Sequence, residues 1–228
     1  MSTATRECRV CGVDVKPCVC GSYSFTPGIC PTCVDAEAGV DKQLVFEHRM
    51  REMGIRRLWW DLGFEDFKSE AGLPVLSECV KYVEGWPQTE GLVIYSAGKG
   101  NGKTLLAASI LKGVGDGFFV NCAEMLVAIR LSYDDGSPTD VLAKCRVAPL
   151  LVIDDMGAHK TTDWVQEQLY VLLNYRIEEI LPTIITTKAE DFSRVFGERI
   201  GSRVFGHCRV LTLKGGDYRR EKHEKEEP

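Results

Sequence analysis

Two short stretches, 51 residues apart, leave few folds open to this chain. The first is "YSAGKGNGKTLLAAS", which begins at Tyr95. An apolar run, residues 92–96, enters it, and a segment of helical spacing, residues 103–113, leaves it. The second is "APLLVIDDMG", in which an apolar run, residues 150–154, ends in two carboxylates, Asp154 and Asp155. A Gly-rich turn between a strand and a helix is suited to binding phosphate. Gly98, Gly100 and Gly102 let the backbone curl until its N–H groups point inward, and the helix N-terminus adds its dipole. Lys103 then supplies a cation to the β- and γ-phosphates, and Thr104 offers a hydroxyl to Mg2+. Lys99, Asn101 and Leu105 complete the expected nucleotide-contacting stretch. An acidic strand end beside such a loop is where a metal and an attacking water belong. Asp154 is expected to hold the metal, mostly through water, and Asp155 to polarise the attacking water. Ala97 stands where the phosphate-loop pattern has its first glycine, and an alanine fits there if its φ is negative.

Apolar runs at 92–96, 118–121, 150–154, 183–187 and 210–213 alternate with helical patterns at 103–113, 122–133 and 163–180. Such alternation predicts a parallel sheet with crossover helices, an α/β fold. The near-continuous apolar character of "LLVID" suits a sheet covered on both faces. Asn121 and Glu124 suit a helix cap.

The ten cysteines are unevenly placed. Six fall between Cys8 and Cys33, while Cys79, Cys122, Cys145 and Cys208 are scattered. The chain shows no apolar run of membrane-spanning length, and "MSTATRECRV" lacks the apolar core of a signal peptide, so a cytoplasmic, reducing location is the expectation. In that setting clustered cysteines point to a metal rather than to disulfides. Cys8-x2-Cys11 and Cys30-x2-Cys33 fit a four-thiolate Zn2+ site, with Cys18 and Cys20 as spares. Zinc would largely fold a module of residues 1–34, which is too short to build a core alone. A helical linker (35–62), an ATPase domain (63–220) and a polar tail (221–228) are expected to follow. With 228 residues, 44% hydrophobic and 27% charged, the chain is long enough for this plan. The net charge of −5 means that any nucleic-acid contact must use a local basic patch.

The stretches "GKGNGKTLLAASI", "LLVIDDMGAHKTTDWVQEQLYVLLNYRIEEILPTIITTK" and "ERIGSRVFGHCRVLTLKGGDYR" together resemble the DnaC/DnaI helicase loaders and the IstB transposition ATPases, a branch of the AAA+ ATPases. The resemblance covers about residues 60–220. It implies a P-loop AAA+ domain that binds and hydrolyses ATP, forms a homo-oligomer when ATP-bound, and loads a replicative DNA helicase onto single-stranded DNA. It also implies roles for single residues. Lys188 occupies the sensor 1 position, where the family usually has asparagine. Arg203 falls on the arginine finger that reaches a neighbouring subunit's ATP. Arg199 lies one turn earlier, and Arg219 falls on a sensor 2-like position. Two other readings share this core: an IstB-like ATPase that delivers a transposase to DNA, and an ATP-gated adaptor with little turnover. Trp59, Trp60, Phe64 and Phe67 could stack on bases or pack the connector onto the ATPase core.

The cysteine spacing yields a first prediction. The purified chain should carry one zinc per molecule, read by metal analysis and by release to a colorimetric chelator. Cys8→Ser or Cys30→Ser should abolish it, and Cys18→Ser should not.

Overall fold

The computed structural model describes residues 6–7, 14–15, 42–135, 140–157 and 162–217. The chain divides into two compact units, Met1–Glu52 and Met53–Pro228. In the first unit, strands β1 (Arg6–Glu7) and β2 (Asp14–Val15) pair antiparallel, with Arg6 opposite Val15. Helix α1 (Lys42–Glu52) carries an ion pair one turn apart, Arg51 Nη2 to Glu47 Oε2 at 2.8 Å. Cys8, Cys11, Cys18, Cys20, Cys30 and Cys33 lie outside the described residues, and so does the expected zinc site.

The second unit opens with three short 3-10 turns and helix α2 (Leu73–Glu84). Five strands then alternate with helices: β3 (Gly91–Tyr95), α3 (Lys103–Val114), β4 (Phe118–Asn121), α4 (Cys122–Asp135), α5 (Asp140–Val147), β5 (Leu151–Met156), α6 (Asp163–Glu178), β6 (Thr183–Thr187), α7 (Phe192–Phe196), α8 (Glu198–His207) and β7 (Cys208–Thr212). The strands form one parallel sheet in the order β4-β5-β6-β3-β7. β3 and β5 are buried along nearly their whole length, which explains their unbroken apolar sequences. β6 therefore separates the two strands whose ends carry the expected chemistry. The chain leaves β3 for the far edge at β4, returns through β5 and β6, and places β7 on the other side of β3. Ligands of open α/β sheets bind at such a switch point, beyond the carboxyl ends of the strands.

The connector 55–67 belongs to this unit. Trp60 is buried, and its indole Nε1 donates to Ile55 O at 2.7 Å. Lys112 on α3 donates its ammonium to the carbonyls of Trp59, Trp60 and Leu62. Phe67 is buried too. Trp60 and Phe67 thus pack into the core, which withdraws them from base stacking.

Most element boundaries differ from the periodicity by one or two residues. The strand read at 150–154 runs two residues further, to Met156, and the helix read at 163–180 ends at Glu178. Ile180 adopts φ 55, its N–H donates to Ile177 O at 3.1 Å, and Leu181 N–H donates to Arg176 O at 2.8 Å. That is a Schellman stop, normally signalled by glycine. With isoleucine in its place the usual glycine signal is absent, and Pro182 marks the stop only to within a few residues.

Arg176 fixes the ends of the strands opposite the phosphate loop. It is fully buried and donates to Thr183 Oγ1 (2.9 Å) and to the carbonyls of Cys145 (2.9 Å), Arg146 (3.2 Å), Ala148 (2.9 Å) and Pro182 (2.7 Å). It ties the end of α5 to the entry of β6, and burial lowers its pKa to about 10. The thiols of Cys79, Cys122, Cys145 and Cys208 are free, and burial pushes each up to about 12, so they act as small apolar groups.

Arg176→Met would leave these buried acceptors without donors. It should cost about 3 kcal/mol or more, and lower the melting temperature of a domain this size by about 6–12 °C, read by thermal denaturation.

Candidate nucleotide-binding site

The loop after β3 is wound around its own lysine. Lys103 opens α3 and is buried, and its ammonium donates to Ser96 O (3.2 Å), Gly98 O (2.9 Å) and Asn101 Oδ1 (3.1 Å). Asn101, also buried, donates from Nδ2 to Ser96 Oγ, which accepts from Gly98 N–H at 3.3 Å as well. Gly100 (φ 64) and Gly102 (φ 93) supply the left-handed turns. Ala97 is not among the described residues with positive φ, so its Cβ meets the backbone condition set by the sequence. Lys99 is exposed, whereas Leu105 is buried.

Two walls enclose the loop: Phe67, which the sequence offered for packing the connector onto the core, and Asp217, to which the sequence did not point. A Cβ on Gly102 would lie 2.7 Å from the Phe67 ring, and one on Gly100 would lie 1.7 Å from Asp217 Oδ1. The segment bearing Asp217 is held in place by Leu213 N–H donating to Tyr95 O (2.7 Å) and by Ser69 Oγ donating to Lys214 O (3.2 Å). Arg219 and His159 lie outside the described residues.

The acidic half of the site sits across β6. The register of β5 slips, with Ile153 opposite Ile185 but Met156 opposite Thr187, so Asp154 and Asp155 occupy a bulge against the single residue Thr186. The Thr186 hydroxyl donates to Asp154 Oδ1 at 2.7 Å and accepts from Asp155 N–H at 2.8 Å. Asp155 takes φ 55, a conformation costing about 1 kcal/mol or more outside glycine, and this pair of bonds helps to hold it. Thr186 was missed in the sequence, although a hydroxyl in an otherwise apolar strand beside two carboxylates is the signal that could have found it. Thr187, also fully buried, donates to Met156 O at 2.7 Å and locks the same strand ends.

Asp154 is buried, and desolvation is the largest influence on it, raising its pKa. Hydrogen bonds from Thr186 and Thr104 oppose that rise. The Thr104 hydroxyl thus lies near enough to act on the Asp154 carboxylate, so the phosphate-loop helix faces the acidic strand end. Two hard oxygen donors, one of them a carboxylate short of solvation, fit Mg2+. When bound, the ion would neutralise Asp154 and screen phosphate charge; Thr104 and Asp154 are the residues to hold it. Among the described residues no group of three or more His, Cys, Asp or Glu side chains is arranged to hold a metal.

Lys188 follows β6 and pairs with Asp155, Nζ to Oδ1 at 3.3 Å. Arg203 lies on α8, half-buried, away from these contacts, and makes no ion pair among the described residues; Arg199 on the same helix is exposed. The structure thus brings together Lys103, Thr104, Asp154, Asp155 and Lys188, but not Arg203.

A five-stranded parallel sheet, a lysine-bearing loop at its switch point and an acidic strand end two strands away define a P-loop domain of the AAA+ fold. The chain belongs to the family described as IstB-like ATP binding protein, whose model matches residues 46–226. The Bacillus subtilis protein "Replicative helicase loader DnaI" is 24% identical over 157 residues, 65% of this chain and 50% of that protein, so the chain spans about half the length of this relative. The crystal structure of the DnaC helicase loader matches with a TM-score of 0.65 at 24% identity, over 70% of this chain and 100% of that one. The replication initiator DnaA bound to AMPPCP and single-stranded DNA matches with a TM-score of 0.60 at 15% identity, over 75% and 56%. These structural likenesses concern the fold. Together with the family match they bear out the resemblance to DnaC/DnaI-type loaders read from the motifs. Among the described residues no helix is long and apolar enough to cross a membrane.

The state of Asp154 gives a pH test. Its folded pKa is raised above the ordinary aspartate value, so between the two values the folded chain holds a proton that the unfolded chain has lost. Its ionisation therefore costs stability, increasingly as pH rises through the folded pKa. Without nucleotide or Mg2+, Asp154→Asn should melt at or above the wild-type temperature at neutral pH. That advantage should shrink as pH falls toward about 4, in a series of melts across this range.

Proposed function

We propose that this chain is an ATP-hydrolysing loader that places a replicative DNA helicase on single-stranded DNA. The observation that carries this is the pair of bonds at the end of β6, Ser96 N–H to Thr187 O at 3.2 Å and Thr187 Oγ1 to Met156 O at 2.7 Å, which hold the phosphate loop and the acidic strand end on either side of one strand. Membership of the IstB-like family and similarity to a helicase loader support it.

In this reading Lys103 leaves its loop carbonyls to hold the β- and γ-phosphates, assisted by the backbone of Gly98, Lys99, Gly100, Asn101, Gly102, Thr104 and Leu105. Asp155 orients the attacking water and takes its proton as the bond between the γ-phosphorus and the bridging oxygen breaks. Lys188 acts on the γ-phosphate, and Arg219 is proposed for the sensor 2 role that the resemblance implies. Arg203, unpaired within the described residues of its own chain, completes the site of a neighbouring copy, so turnover requires a homo-oligomer. Asp155 is a methylene shorter than the commoner glutamate and is already paired with Lys188, which suits slow turnover and a switch. The N-terminal module, with the thiolates of Cys8, Cys11, Cys30 and Cys33 on zinc, is the element proposed to contact the helicase.

The IstB-type reading, delivery of a transposase to duplex DNA, draws on the same family match. A pull-down with ATP, offering the host helicase and any transposase encoded nearby, separates the two.

Phosphate release should fall about 10³-fold or to background in Arg203→Ala, with ATP binding to the single chain nearly unchanged. Lys103→Ala should lose binding itself. An equimolar mixture of the two variants should recover part of the turnover, because the first keeps an intact loop and the second an intact finger. Undiminished turnover in Arg203→Ala would remove the trans role.

A further inference from the structure

β6 lies between β3, which ends in the phosphate loop, and β5, which ends in the two carboxylates. Both neighbours are tied to its last residue: Ser96 N–H donates to Thr187 O at 3.2 Å, and Thr187 Oγ1 donates to Met156 O at 2.7 Å. Lys188, the next residue, therefore emerges between the two halves of the site. Its ammonium lies 3.3 Å from Asp155 Oδ1, and the two side chains are 39% and 38% exposed. A half-hydrated ion pair of that length is weak and easily exchanged. It nevertheless engages the carboxylate that the ATPase reading needs for the attacking water.

We infer that Lys188 is an exchangeable latch on Asp155. Without a triphosphate its ammonium holds the carboxylate. When a nucleoside triphosphate enters, the ammonium passes to the terminal phosphate, and Asp155 is freed to take the water. This rests on the ATP-site reading above and adds a regulatory step to it. The terminal phosphate offers more charge and more acceptor oxygens than one carboxylate, so the exchange is downhill. Lysine suits the role, with a point charge, a flexible four-carbon stem and three donors. Asparagine has no charge with which to hold Asp155. The backbone need not move, because Asp155 N–H stays on Thr186 Oγ1 at 2.8 Å and only side chains turn. A diphosphate lacks the competing group and leaves the latch closed, so hydrolytic competence follows the nucleotide state.

The test measures binding, not turnover. ATPγS and ADP affinities of the full chain are determined by titration calorimetry for the wild type, Lys188→Ala and Lys188→Arg. The latch predicts that Lys188→Ala loses about tenfold in ATPγS affinity, about 1.4 kcal/mol, while ADP affinity changes by no more than about twofold. Retained ADP binding also shows that the variant is folded. Lys188→Arg should recover part of the loss. Equal losses for both nucleotides, or no loss for ATPγS, would overturn the latch. So would a crystal structure with ATPγS in which Lys188 still holds Asp155. A wild-type chain that binds neither nucleotide would instead overturn the ATP-site reading, and the latch with it.

Discussion

The site is organised around one hydroxyl. Thr186 Oγ1 gives its proton to Asp154 Oδ1 and accepts the N–H of Asp155, so a single side chain spans the bulge that carries both carboxylates. In a regular strand consecutive side chains point to opposite faces. One extra residue in β5 breaks that alternation and lets neighbouring aspartates serve one site. The arrangement stores strain, a left-handed aspartate and a desolvated carboxylate, and stays in place because Thr186, Thr187, Thr104 and Lys188 surround it with partners.

The phosphate loop is prepared in the same manner. Lys103, Asn101 and Ser96 satisfy one another before any ligand arrives, so the loop holds its curl without phosphate. The Phe67 ring and the Asp217 carboxylate fill the space that side chains at Gly102 and Gly100 would need. These glycines thus serve twice, for their φ and for the close approach of walls drawn from either side of the motif in sequence. In the proposed mechanism both cations of the site, Lys103 and Lys188, exchange internal partners for phosphate. Binding would then rearrange charges that are already in position, which suits a protein that reports nucleotide state.

Much of this was legible in the chain. The strands at 118–121 and 183–187 were read at their boundaries, and the α3 and α4 patterns to within two residues, because unbroken apolar runs and 3.6-residue periods survive burial. Residue type and spacing pair Thr104 with Asp154, and in the folded chain Thr104 acts on the Asp154 carboxyl. The Asn121 cap was legible as well, with its side chain accepting from Ala123 N–H at 3.1 Å. Less legible were stops without their usual residue, such as Ile180, and contacts between segments far apart in sequence, such as Arg56 with Glu124 or Asp217 with Gly100.

Sequence alone determined the parallel α/β plan, the phosphate loop and the two carboxylates, since periodicity and residue chemistry are local properties. Tertiary structure decided how they are joined. Strand order placed β6 between the two halves of the site, the bulge aimed both aspartates, and Lys188 fell beside Asp155. The lysine's partner depends on which strand lies next to its own, and strand order is set by how the helices cover the sheet, not by any one stretch of the chain.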